Sequence, residues 1–277
     1  MNSVPLGSGG GGLAQRQGIL RYIFDHAPTC DFLFVAGVCR AWREAWGSQP
    51  RTTHVCAAVE SVSRLAWARD CGVPWNRDTC ALAARGGKLR VLEYARANGC
   101  PWDEKTSWGA ASGGHLSILK WARENSCPWN ERTCGVAGGG GYLEVLKWAR
   151  ANGCPWDERT CENAAYGGHL EVLKWAKALG CPWDKYTCAY AAGGGHLHVL
   201  KWARELGCPW DEWTCANAAR EGRLDLLKWA RALGCPWDEW TCYYAVVGGG
   251  LDPLKWVGGD YNEFPWEGCA LERICSG

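Results

Sequence analysis

The chain has 277 residues, 47% hydrophobic and 21% charged, with a formal net charge of +1. That length suffices for one elongated array plus a small extra module, and near-neutrality argues against nucleic acid as the main partner, because phosphate binding needs a concentrated excess of Lys and Arg. No run reaches the roughly 18 to 20 apolar residues of a membrane helix, and Met1 to Gly12 lacks both the basic start and the apolar stretch of a secretory signal. We therefore expect a protein of a reducing compartment, cytoplasmic with a nuclear site also open, and no membrane partner.

In chain order, 1–16 is rich in Gly and Ser with little to bury and reads as a disordered tail. Residues 17–47 form a small helical module: Ile19, Leu20, Ile23 and Phe24 share a face, Pro28-Thr29 breaks the chain, and Phe32 to Trp46 resumes as a longer helical run. From 48 to 259 the sequence repeats itself, as one worn unit and then seven clear ones. The closing 260–277 reads as a partial unit that caps the array, with Cys269, Leu271 and Ile274 turned inward.

The period is 27 residues, seen best in Pro155 to Cys181, PWDERTCENAAYGGHLEVLKWAKALGC. The Trp of Pro-Trp returns at Trp75, Trp102, Trp129, Trp156, Trp183, Trp210 and Trp237, and a second ladder runs Trp67, Tyr94, Trp121, Trp148, Trp175, Trp202, Trp229 and Trp256. Both ladders are too regular to encode specificity and are expected to serve packing. The Asn or Asp after each Pro-Trp suits a helix N-cap, since its short side-chain oxygen accepts the orphan N–H groups of the first turn. A helix of about nine residues, helix A, follows and ends at Gly-Gly. Leu170, Val172, Leu173, Trp175, Ala176 and Leu179 then recur at spacings of three and four, which predicts an amphipathic helix B, stopped by Gly180 and barred from continuing by Pro182. Helices this short are below the roughly 12 to 15 residues that are marginal alone in water, so neighbouring pairs must stack. A leucine-rich repeat fits the period, but no strand-like alternation of leucines is visible.

Thr160, Ala164-Ala165, Gly168-His169, Val172, Leu173 and Gly180-Cys181 resemble the ankyrin repeat, over roughly Arg51 to Trp256. The resemblance implies an all-α, ankyrin-like α-solenoid of stacked helix-turn-helix units, acting as a protein-binding scaffold without catalysis or cofactor. Ankyrin units have about 33 residues; the shorter period here predicts tight Cys-Pro-Trp-Asp turns in place of protruding β-hairpin fingers. In the N-terminal module, Val38-Cys39-Arg40-Ala41-Trp42 and the preceding Ile-Leu and Ile-Phe pairs resemble an F-box. That likeness implies docking on the adaptor of a cullin-RING ubiquitin ligase through Leu20, Ile23, Phe24, Leu33, Val38, Cys39 and Trp42, with the array as substrate receptor. The other reading of the module is an N-terminal cap that buries the open end of the array.

Eighteen cysteines recur mostly as Cys-Pro-Trp-x-x-x-Thr-Cys, as in Cys154 and Cys161. The gap is wider than zinc spacing and no His keeps step with it, so no metal is expected. We read these cysteines as small buried residues, with a metal- or redox-responsive array as the competing reading. The Gly runs are not phosphate loops, because no Gly-Lys-Ser/Thr follows them, and no catalytic constellation stands out.

Comparison of the units with one another separates scaffold from surface. The positions of Cys161, Ala164 and Ala165 stay small, whereas those of Arg159, Glu162, Asn163 and Tyr166 vary and share one face of helix A. In ankyrin proteins the helix A side lines the groove that meets the partner. The residues we expect to bind another protein are Trp108, Arg159, Tyr166, Tyr186, Tyr190, Trp213, Asn217, Arg220, Trp240, Tyr243 and Tyr244, since Trp, Tyr and Arg dominate interface energies. The competing reading is drift between duplicated units. The chain is expected to be a monomer.

Overall fold

The computed structural model describes residues 58–70 and 73–248. The tail 1–16, the F-box-like module 17–47 and the capping unit 260–277 lie outside the described residues. Among the described residues the fold is all-α: fourteen helices of nine residues each, joined by turns, with no strand. Among the described residues two compact units are formed, 58–70 and 73–83 with Lys88–Pro101, and Ala84–Gly87 with 102–248.

In the first unit, α1 (Val62–Asp70) lies against α3 (Leu89–Ala97), with α2 (Arg77–Arg85) between them in sequence. Leu65 and Ala68 of α1 and Val91, Leu92 and Ala95 of α3 are buried. Trp75 meets Tyr94 edge-on at 6.0 Å and carries the Arg69 guanidinium 4.4 Å above its ring.

The second unit alternates A and B helices. The A helices are α4 (Glu104–Ser112), α6 (Glu131–Gly139), α8 (Glu158–Tyr166), α10 (Lys185–Gly193), α12 (Glu212–Arg220) and α14 (Glu239–Val247). The B helices are α5 (Leu116–Glu124), α7 (Leu143–Ala151), α9 (Leu170–Ala178), α11 (Leu197–Glu205) and α13 (Leu224–Ala232). From α4 to α12 each A helix packs on the next A helix and on its own B helix. The close A-to-A approach follows from what α8 turns inward: Thr160, Cys161, Ala164 and Ala165, all small. Helix α9 buries Val172, Leu173 and Ala176 against it.

The start and stop signals act as the sequence leads one to expect. Asp157 is extended, with φ −138° and ψ −172°, and its Oδ1 accepts the Arg159 N–H at 3.2 Å. Asp103, Asn130, Asp184, Asp211 and Asp238 cap their helices in the same way, each contributing about 1 kcal/mol. At the other end Gly168 takes φ +76°, and the His169 N–H returns to the Ala164 carbonyl at 2.9 Å, which closes the helix with its orphan carbonyls satisfied.

Gly168 has a second role that one unit alone does not reveal. A Cβ built on it would lie 2.5 Å from the His196 ring of the following unit. The missing side chain is thus the seat of the next unit's ring. His196 in turn bonds the Tyr166 backbone, and His169 Nε2–H donates to the Gly139 carbonyl at 3.1 Å. Burial, followed by neighbouring cations and imidazoles, lowers the His196 pKa below the usual imidazole value, so at neutral pH this ring is a neutral inter-unit hydrogen-bonding group.

The two Trp ladders meet each other. Trp156 packs edge-on against Trp175 with centroids 5.7 Å apart, and Trp129–Trp148, Trp183–Trp202 and Trp210–Trp229 repeat the contact. Pro-Trp rings are also covered by the cation near the end of the preceding B helix: Arg150 over Trp156 at 4.1 Å, Lys177 over Trp183 at 4.1 Å and Arg204 over Trp210 at 4.0 Å. Arg231 lies 4.0 Å over Trp237 while its Nη1 donates to the Cys235 carbonyl at 2.9 Å, so one side chain fixes both the ring and the turn.

Twelve cysteines of the described residues are buried free thiols. Their partners are not the neighbours in Cys-Pro-Trp-x-x-x-Thr-Cys. Instead Cys134 meets Cys154, Cys161 meets Cys181, Cys188 meets Cys208 and Cys215 meets Cys235, joining a helix A to the turn that ends its own unit. The turn thiol also donates to the carbonyl of the N-cap residue, as Cys181 Sγ does to Asp157 at 3.5 Å. The hydrogen bond to the partner thiol, and then burial, hold Cys134, Cys181, Cys188 and Cys215 well above the usual thiol range. Among the described residues no group of three or more His, Cys, Asp and Glu could hold a metal ion.

Candidate functional site

Several of the variable positions of the A helices carry exposed or half-buried aromatic side chains in the second unit. Tyr166, Tyr186, Tyr190, Trp240 and Tyr243 are exposed large side chains on it, with Tyr166 the most open at 54%. They gather into two groups. In the first, Tyr190 stands edge-on to Tyr166, 6.3 Å between centroids, and tilted to Tyr186 at 6.4 Å.

In the second group Trp240 contacts Tyr243 at 5.7 Å and Tyr244 at 6.1 Å, Tyr243 contacts Tyr244 at 5.4 Å, and Trp213 contacts Tyr244 at 6.2 Å. Trp213 and Tyr244 are half-buried by these neighbours. The Arg220 guanidinium sits 5.9 Å from the Tyr244 ring and pairs with Glu221 at 3.0 Å. Mutual contact pre-orders the rings, which lowers the rotamer entropy a ligand must remove on binding.

Two of the residues expected on this face are held by the fold. Asn217 is buried, and its Nδ2 donates to the Ala189 carbonyl at 3.2 Å, so it ties α12 to α10 and leaves the exposed face; this corrects its placement by helical spacing. Trp108 is half-buried. Its Nε1 donates to Asn130 Oδ1 at 2.8 Å and Arg132 stacks 4.3 Å above its ring, which makes it a clasp between successive units. Arg159 is exposed and lies 4.0 Å from Asp157.

A feature that spacing did not single out is the charge around Glu162. This half-buried carboxylate is pushed up to about 7 by burial first, and then by Asp184, Glu158 and Asp157, with Arg159 opposing. At the equivalent place one unit on, α10 begins with Lys185 in place of Glu158, and Lys185 Nζ bonds Asp211 Oδ2 at 2.7 Å. No ion pair joins Glu158, Glu162 or Asp184 to a Lys or Arg among the described residues. Unit-by-unit alignment of this sequence with itself holds that signal, because Glu162 is the one acid at its position.

No family model matches the chain, and no curated protein matches it. Among solved structures it is similar to the ankyrin repeat domain of human ASB11, at 17% identity and a TM-score of 0.45, over 57% of this chain and 84% of that one. Among the described residues no helix is long and apolar enough to cross a membrane.

Proposed function

We propose that this chain is a non-catalytic scaffold that binds another protein through the helix A face of its second unit. The observation that supports this most is the exposed, mutually packed aromatic surface from Tyr166 to Tyr244: large rings left in water cost solvation unless something covers them, and such rings are the usual anchors of protein interfaces. The binding residues of this reading are Arg159, Tyr166, Tyr186, Tyr190, Trp213, Arg220, Trp240, Tyr243 and Tyr244. The protein works as a monomer in the cytoplasm, without cofactor. Replacing Trp213, Trp240 and Tyr244 by Ala should abolish partner capture while helical circular dichroism is kept; capture unchanged by the triple substitution would refute the assignment of the face.

The F-box-like sequence at Val38 to Trp42 favours a second reading, in which 17–47 docks a ubiquitin-ligase adaptor and the same face holds the substrate. Recovery of adaptor and cullin by the full chain, and not by a chain lacking 1–47, supports it. Recovery of neither leaves the module as a cap.

A further inference from the structure

The net charge of +1 conceals a segregation along the second unit. In its last four units the helix A halves, 155–168, 182–195, 209–222 and 236–248, hold nine Asp and Glu against three Lys and Arg, a balance of −6. The helix B halves between them, 169–181, 196–208 and 223–235, hold three acids against seven bases, a balance of +4. The helix A halves, which carry the exposed tyrosines, are thus net acidic, and the helix B halves are net basic, with three of their bases, Lys177, Arg204 and Arg231, lying over Pro-Trp rings.

The cations that the A side does contain show what it accepts. Lys185 bridges to the Asp211 carboxylate at 2.7 Å and lies 5.5 Å from the Tyr186 ring, and Arg220 lies against Tyr244. A carboxylate beside an aromatic face is the environment that suits an ammonium or guanidinium, because the ring quadrupole and the anion attract it together. Around Glu162 lie further anions, Glu158, Asp157 and Asp184, and the same helices carry the Tyr166, Tyr186 and Tyr190 rings; against these acids stands the exposed Arg159, 4.0 Å from Asp157, which leaves an excess of negative charge. The like charges raise one another's energy, and a cation from outside relieves this.

From this we infer that the helix A face takes a cationic segment of its partner, an extended or helical stretch carrying Lys or Arg, with one basic side chain against Glu158, Glu162 and Asp184 beside the tyrosines. The inference rests on the binding role proposed above and adds the chemistry of the ligand. Two or more basic residues along the segment would match the spread of acids from Asp157 to Glu239, and the aromatic groups would cover the aliphatic stems between them.

The test is selection of a random-sequence displayed peptide library on the full chain at physiological salt, in parallel with the Glu158→Gln/Glu162→Gln chain and with the chain carrying Ala at Trp213, Trp240 and Tyr244. Peptides selected on the unaltered chain should be enriched in Lys and Arg over the starting library. Their affinity should fall about tenfold on the Glu158→Gln/Glu162→Gln chain and should weaken with added salt, and unchanged affinity on that chain would overturn the cationic assignment. Selected peptides that are neutral or acidic yet lost on the aromatic variant would overturn the cationic assignment and leave the face as a binding surface. Peptides indifferent to the aromatic substitutions, or no selection at all, would overturn both.

Discussion

Ser126 offers a quantitative test of how the units close. It is the one non-glycine residue with positive φ, +63°, among the described residues, and it ends α5 where Gly99, Gly153, Gly180, Gly207 and Gly234 end other B helices at φ between +77° and +83°. A left-handed backbone brings Cβ of an L-residue close to the following carbonyl oxygen, at a cost of roughly 1 to 2 kcal/mol. Glycine removes that cost but loses more freedom on folding, which returns roughly 0.5 to 1 kcal/mol. Nothing lies within 4 Å of a Cβ at Gly153, Gly180, Gly207 or Gly234, so by analogy no packing is lost when Ser126 is replaced. Ser126→Gly should therefore stabilise by about 0.5 to 1 kcal/mol, which for a folded region of this size raises the thermal midpoint by about 1 to 4 °C. Gly180→Ser should lower it by a similar amount. A local readout avoids relying on two-state melting of a repeat array: the Cys127 amide, bonded to the Ala122 carbonyl at 2.8 Å, should exchange with solvent more slowly by about threefold or more in Ser126→Gly. If the variant melts lower and Cys127 exchanges faster, the strain argument at this turn is wrong.

Gly168→Ala should be far more damaging than Gly180→Ala, by about 2 kcal/mol or more in chemical denaturation, because the first adds a contact of 2.5 Å with the His196 ring to the backbone strain and the second adds strain alone. Equal losses would remove the inter-unit role of that glycine. Thr160 Oγ1 is fully buried without a hydrogen-bond partner, as are Thr106, Thr187, Thr214 and Thr241; Thr160→Val keeps the shape and removes an unsatisfied hydroxyl, so it should leave stability unchanged or raise it by about 1 kcal/mol. A clear destabilisation would mean that the hydroxyl is bonded in solution. Because Glu162 is raised from 4.5 to about 7, the folded protein holds an extra proton between these values, and stability falls as pH rises through that window. Glu162→Gln should match the wild type near pH 4 and exceed it by about 1 kcal/mol at pH 8, a figure discounted for the solvent that reaches this half-buried group. A stability difference independent of pH would refute the assigned environment.

The local punctuation of this protein was legible in its sequence because caps and stops depend on a few consecutive residues. Asp157 before the first turn, Gly168 and Gly180 after the last, and apolar positions at three and four residues define helices that the structure reproduces at nine residues each. Periodicity also separated the buried Cys161, Ala164 and Ala165 from the exposed Tyr166. Contacts that close across a unit or between units were not legible, since they depend on how short helices stack. Only the tertiary structure decided that Cys161 meets Cys181 and not Cys154, that the two Trp ladders pack on each other, and that Gly168 seats His196. It also turned Asn217 inward, although Asn163 at the equivalent place is exposed. Helical spacing fixes the direction in which a side chain leaves its own helix, but the neighbouring helix decides whether that direction is solvent, a carbonyl or another ring.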